Sequence, residues 1–169
     1  HGTRLLFGDA GVEKLKKSTV MVVGCGAVGS FAIEALARRG VGHLVVVDFD
    51  TVEESNINRQ LFALTSTVGR PKVDVAAARA RDINPDIMVD ALNLLWDENT
   101  DVGIVPDFVI DAIDNVESKV AVYKWADAHN VPLITSMGAA SKTDPGQIKI
   151  APISRTTVCP LAARVRRMV

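Results

Sequence analysis

The sequence predicts an α/β domain in which a mainly parallel sheet is flanked by helices. Three observations carry this. Short β-branched runs, Thr19–Val23 and His43–Asp48 foremost, read as strands buried on both faces. Alanine-rich segments of helical length separate the strands. A glycine-rich turn, Gly24-Cys25-Gly26-Ala27-Val28-Gly29, stands at the first strand-to-helix junction.

Taken in order, Thr19–Val23 is the first strand and ends in glycines. The apolar positions Phe31, Ile33, Ala35, Leu36 and Ala37 continue to Arg38-Arg39-Gly40, a helix with cations in its last turn and a glycine stop. His43–Asp48 is the second strand. Residues 49–68 are polar and irregular, with a helical turn expected near Arg59–Leu64; a loop this long inside an α/β domain is usually functional. Pro71–Ile83 is a helix closed by Asn84-Pro85. Asp86–Leu95 is a third strand and Phe108–Asp111 a fourth. A helix over Val116–His129 and a fifth strand, Leu133–Ser136, follow. Gln147–Ala151 reads as a later edge strand after the Asp144-Pro145-Gly146 turn, and Pro160 opens a basic final helix at its favoured first position.

Residues 1–169 form one domain with room for a substantial core. Hydrophobic residues make up 48% and aromatics only 5%, which suits aliphatic strands under small helical residues. Mean hydropathy of +0.20 favours a folded chain. A net charge of −1 excludes a global attraction to nucleic acid or membrane, although Arg164, Arg166 and Arg167 crowd the tail. The two cysteines, Cys25 and Cys159, form neither a disulfide framework nor a zinc-binding CxxC pair. No secretory leader or membrane-spanning run is visible, so the expected compartment is the cytoplasm. The chain starts without methionine and stops inside an apparent helix. It therefore reads as part of a longer protein, with membrane contact expected only through segments outside it.

The glycine turn follows a strand and opens a helix, the context of a Rossmann-like phosphate loop. Gly24 permits the tight turn, Gly26 lets backbone approach phosphate, and Gly29 allows close helix–strand packing. The helix N-terminus offers free N–H groups to an anion. Asp48 ends the next strand, where a carboxylate grips ribose hydroxyls. Cys25, at a variable position of the turn, reads as a small packing residue. Up to Asp48, NAD and ATP fit equally well.

The following stretch tilts the balance toward ATP. A triphosphate needs more cations than a dinucleotide, and usually Mg²⁺. Arg59 and Lys72 are placed to supply cations, though solvated surface charge is the alternative. Asp114 follows the fourth strand, facing the ligand crevice, and fits either a metal or phosphate role or, with Glu117, a helix cap.

Four ordered blocks, GCGAVGS, VVDFDTVEESNINRQ, VGRPKVD and VIDAIDN, closely resemble the ThiF/MoeB/ubiquitin-activating superfamily over nearly the whole chain. The resemblance implies ATP- and Mg²⁺-dependent adenylation of a carboxylate. It implies that Gly24, Gly26 and Gly29 form the phosphate loop and that Asp48 binds ribose. Asn56, Arg59, Gln60 and Lys72 then match the polar and basic residues near the phosphates, and Asp114 the aspartate associated with Mg²⁺ and catalysis. Arg4-Leu5-Leu6-Phe7-Gly8, residues 138–145, and Ser154-Arg155-Thr156-Thr157 leading into Pro160 look like the branch that acts on threonylcarbamoyl-modified adenosine in tRNA. In that branch the activated carboxylate cyclises with loss of water. Arg155, Arg164, Arg166 and Arg167 are candidate contacts to the tRNA backbone.

The superfamily also implies a homodimer whose partner donates an N-terminal arginine, for which Arg4 is a stand-in, and a possible sulfurtransferase-type partner. Two other readings stay open: adenylation of the C-terminal glycine of a ubiquitin-like sulfur carrier, and an NAD-dependent oxidoreductase or nucleotide-sensing module.

Overall fold

The computed structural model describes residues 2–169. Five strands form one sheet: β1 (Thr19–Val23), β2 (His43–Asp48), β3 (Met88–Asn93), β4 (Phe108–Asp111) and β5 (Leu133–Thr135). Their order is β3-β2-β1-β4-β5 and every pairing is parallel. The chain first winds outward from β1 to β3, then returns to place β4 against the free edge of β1. Strand order therefore reverses between β1 and β4, and a crevice opens at the carboxyl ends of the strands beside such a reversal.

Successive residues of β1 and β2 feed opposite faces of the sheet. Val20, Val22, Leu44 and Val46 pack with residues of α2 (Gly29–Arg39) and α3 (Lys72–Ile83), among them Ile33, Ala37, Ala76 and Ala80. Met21, Val23, Val45 and Val47 pack on the other face with Val122, Trp125 and Ala126 of α4 (Val116–Ala128). Burial on both faces explains why these strands read as unbroken apolar runs.

Two helices bracket this body. α1 (Gly2–Lys17) is kinked at Gly8 and buries none of its residues. The sequence pattern assigns no element to this segment, whose Leu5, Leu6 and Phe7 form a run and not a spaced stripe. α5 (Pro160–Arg166) has its proline in the first turn, as expected, and packs Val165 and Leu161 against Val116 and Val120 of α4.

Three sequence expectations are corrected. Gln147–Ala151 is not a strand: Asp144 accepts the N–H of Gly146 and closes a 3₁₀ turn over Pro145–Gln147, and no strand follows. Ile148 and Ile150 are 79% and 87% exposed, so the alternation there has no sheet to pack on. The third strand is shorter than Asp86–Leu95. The Asn84 carboxamide holds the N–H of Asp86 in a turn, and Leu94–Trp96 leave the sheet toward the crevice. In place of one helical turn near Arg59–Leu64, two 3₁₀ turns, Glu54–Asn56 and Thr65–Thr67, flank linked turns. Among the described residues no helix is long and apolar enough to cross a membrane.

Candidate active site

The crevice at the β1–β4 reversal is a cleft of about 220 Å³. The glycine turn forms one wall. Gly24 has φ +98°, and a Cβ there would lie 2.8 Å from the Ala112 carbonyl oxygen. A Cβ on Gly29 would lie 1.7 Å from the carbonyl oxygen of Gly24. Both glycines are thus required by the packing of the turn itself. Gly26 differs: the nearest atom to a Cβ there is Gln60 Nε2, at 3.8 Å. The space beside Gly26 belongs to the cleft. α2 begins next to it with Val28 at its N-cap, and no side chain caps it. An uncapped helix start facing a cleft presents N–H groups and partial positive charge to whatever enters.

Asp48 stands at the end of β2. Its Oδ2 accepts the N–H of Cys25 at 2.6 Å and its Oδ1 that of Asp50 at 2.8 Å. The carboxylate clasps the glycine turn to the following loop, while each oxygen keeps a lone pair for a hydroxyl. Cys25 is 1% exposed and packs in the core. Burial, and secondarily the negative charge of Asp48, push its thiol pKa well up, which makes it a packing residue and not a nucleophile.

The long loop folds back on itself through a bridge between Thr51 and Pro71, and the N–H of Lys72 donates to the Asp50 carbonyl. This delivers Lys72 to the cleft, where its Nζ meets Asp50 Oδ2 at 2.8 Å. Arg59 and Gln60 also line the cleft. Arg59 Nη1 donates to the Ser55 carbonyl and to Asn58 Oδ1, which leaves the rest of the guanidinium fork without a protein acceptor among the described residues. Asn56 is not among the cleft-lining residues. Its carboxamide oxygen accepts the N–H of Glu53 and its nitrogen donates to Ser55, so it shapes the loop that carries Arg59.

Asp114 also lines the cleft. Of the two roles open to Asp114, the helix cap with Glu117 is absent, because Asn115 caps α4 by accepting the N–H of Ser118 at 2.9 Å. Asp114 is exposed and has no protein hydrogen bond or ion pair among the described residues. No group of three or more His, Cys, Asp or Glu able to hold a metal occurs among them either.

Sequence reasoning missed three features. Asp50 was not singled out as the partner of Lys72, since the pairing depends on loop closure. Leu94, Leu95 and Trp96 form an apolar stretch of the cleft wall, and the sequence offered only their position after a strand. Asp111 and Lys119 form a buried ion pair behind Asp114; a lone lysine inside the buried run 118–122 was the available signal.

The sequence matches the ThiF family over residues 3–167. It is 52% identical to the tRNA threonylcarbamoyladenosine dehydratase of Bacillus subtilis over 167 residues, 96% of this chain and 65% of that protein. It is 39% identical to the molybdopterin-synthase adenylyltransferase of Escherichia coli over 146 residues, 85% of this chain and 57% of that one. The crystal structure of the E. coli tRNA N6-threonylcarbamoyladenosine dehydratase in complex with ATP superimposes with a TM-score of 0.95 at 37% identity, covering 98% of this chain and 70% of that one. The chain thus spans somewhat under two thirds of the length of the curated bacterial dehydratases it resembles. With its all-parallel sheet, its glycine turn and a match that runs nearly from end to end, the chain belongs to the ThiF family.

Proposed function

We propose that this chain binds ATP and adenylates a carboxylate, that of threonylcarbamoyladenosine in tRNA, which then cyclises with loss of water. The observation that carries the reading is the convergence on one cleft of an uncapped helix start, an open glycine, two cations and an unpartnered carboxylate. The solved structures that share this fold include a dehydratase crystallised with ATP.

In this reading the phosphates lie along Gly24–Gly29, where Gly26 leaves room and the start of α2 donates N–H groups. Asp48 accepts ribose hydroxyls. The apolar wall of Leu94, Leu95 and Trp96 suits the faces of a planar base. Arg59 and Lys72 offset charge on the phosphates as a carboxylate oxygen attacks the α-phosphorus. The bond from that phosphorus to the bridging oxygen breaks, pyrophosphate leaves, and an acyl-adenylate forms. An internal nucleophile of the substrate then displaces AMP.

Asp114 fits Mg²⁺, because it is free of cap and ion-pair duties, and Mg²⁺ is usually held by one or two carboxylates together with phosphate oxygens. When bound, Mg²⁺ supplies further neutralisation of phosphate charge. Arg155, Arg164 and Arg167 are exposed and suit contacts to a polynucleotide backbone. Leu5, Leu6 and Phe7, at 76%, 66% and 55% exposure, suit the seam of a homodimer; light scattering that reports a monomer for the full-length protein would remove that part.

The test is ATP–pyrophosphate exchange by the full-length protein. Exchange stimulated by modified tRNA supports the proposal. Stimulation by a ubiquitin-like carrier instead moves the chain to sulfur-carrier activation, and NAD reduction without exchange overturns adenylation altogether. A strain lacking the protein should show a raised ratio of open to cyclic nucleoside in its tRNA.

A further inference from the structure

Asp111 closes β4 and Lys119 lies one turn into α4; both side chains are 1% exposed. Lys119 Nζ donates to Asp111 Oδ2 at 2.7 Å and to Thr135 Oγ1 at 3.1 Å. The Thr135 hydroxyl in turn donates to the same Asp111 oxygen. Asp111 Oδ1 accepts the N–H of Ile113 at 3.0 Å. The cluster therefore joins the ends of β4 and β5 to α4, and its remaining oxygen grips the turn that leads to Asp114.

A buried ion pair is poor evidence of a device for stability, because apolar residues of the same volume often hold a core as well or better. What apolar side chains would not supply here is the acceptor for Ile113. That turn matters on both sides. Ala112 donates its N–H to the Val23 carbonyl at 2.8 Å, and its own carbonyl oxygen is the atom that forbids a side chain on Gly24. Two residues later the same turn carries Asp114 on the cleft wall. The backbone of residues 112–114 thus sets the distance between the glycine turn and the free carboxylate.

We infer that Asp111 and Lys119 are positioning residues, whose buried pair holds the 112–114 turn so that Asp114 faces the glycine turn in its working geometry. The inference rests on the adenylation reading and on the role of Asp114 within it. The pair touches neither ATP nor the attacking carboxylate and acts only through the turn.

The test is the double variant D111L/K119M in the full-length protein. It removes both charges together and leaves no orphaned ion, and its fold is checked by melting temperature and ATP binding. A merely structural pair predicts that the folded double variant exchanges pyrophosphate at the normal rate. A positioning pair predicts kcat lower by roughly 10- to 100-fold, the usual effect of removing the support of a metal-holding carboxylate, with a higher Mg²⁺ requirement and little change in KM for ATP.

If the double variant fails to fold, Thr135→Val makes the same comparison, because it removes only a neutral hydroxyl from the cluster. It should show a smaller fall in kcat of the same kind, and an unchanged kcat there overturns the inference. Absence of exchange in the unsubstituted protein removes the adenylation reading and this inference with it. Normal exchange in both the unsubstituted protein and the folded double variant removes the positioning role alone.

Discussion

Lys72 Nζ lies 2.8 Å from Asp50 Oδ2, so the cation at the start of α3 is held in the cleft by a carboxylate from the loop after β2. The ammonium is nearly buried, at 8% side-chain exposure, whereas Asp50 is half-exposed at 48%. Burial makes the lysine a focused charge, and the aspartate competes with any phosphate for it. Lys72→Ala should weaken ATP binding by about 1.5–3 kcal/mol, the range for hydrogen bonds to charged groups. Asp50→Asn should act in the opposite direction and tighten ATP a few-fold, because it withdraws a negative charge from a polyanion site. Calorimetric titration with ATP measures both, and a weaker Kd in Asp50→Asn would show that the aspartate serves to aim the lysine.

The glycines separate folding from binding. Gly29→Ala places a Cβ where the Gly24 carbonyl oxygen already lies, so the turn must move and the melting temperature should fall. Gly26→Ala meets only Gln60 Nε2 at 3.8 Å and should leave the melting temperature unchanged. It nevertheless fills the space proposed for phosphate, and ATP affinity should drop tenfold or more, about 1.4 kcal/mol. Equal ATP affinity in Gly26→Ala would move the phosphates elsewhere.

Asp114 and its neighbour make a second such pair. Asn115 caps α4, and Asn115→Ala should cost about 1 kcal/mol of stability, visible in urea unfolding. Asp114→Ala removes no protein contact, so stability should hold while pyrophosphate exchange falls at least a hundredfold, roughly 3 kcal/mol of transition-state stabilisation. Full exchange in Asp114→Ala would take it out of the mechanism.

The strands β1 and β2 and the glycine turn were legible because their signals are local: a two-sided buried strand is an apolar run, and a phosphate-loop turn needs glycine at fixed offsets. Asp114 was legible as a position, but its freedom from capping became visible only when Asn115 was seen to take that role. Asp50 with Lys72, 22 residues apart, and Asp111 with Thr135, 24 apart, are brought together by loop closure and strand pairing, which no local pattern encodes. Gln147–Ala151 failed for the converse reason. Its alternation is real, but a strand needs a partner, and Ile148 and Ile150 have none among the described residues.

Glu34 links α2 to α3. Its Oε2 accepts Arg79 Nε at 2.9 Å, and its Oε1 accepts Arg79 Nη2 and Arg38 Nε. The hydrogen bond from Arg79, helped by Arg38 and opposed by burial, holds the carboxyl below its ordinary pKa of 4.5. A carboxyl depressed in the folded state contributes stability above its unfolded pKa and loses it as pH falls through the folded value. Arg79 is 44% exposed, so solvent screens the effect and keeps it modest. Arg79→Met should therefore flatten the fall in urea midpoint as pH drops below the ordinary carboxyl value of 4.5. An identical acid profile in the variant would assign that fall to other carboxylates.

The basic tail divides by geometry. Six cations and one acid fall in residues 139–169 of a chain whose net charge is −1. Arg166 is half-buried and partly committed: its Nη1 donates to the carbonyls of Ile153 and Thr156 and to the Thr156 hydroxyl, strapping the 3₁₀ turn of Arg155 to α5. Arg155, Arg164 and Arg167 are exposed. If tRNA lies across this surface, the triple variant R155E/R164E/R167E should weaken tRNA binding and lower the slope of log affinity against log salt by roughly one unit for each phosphate left without its arginine. ATP affinity should not change, because none of the three lines the cleft. Arg166→Ala should do the reverse, lowering the melting temperature while barely moving the salt slope. Filter binding of tRNA at several salt concentrations decides the matter, and an unchanged slope in the triple variant places the polynucleotide on another face.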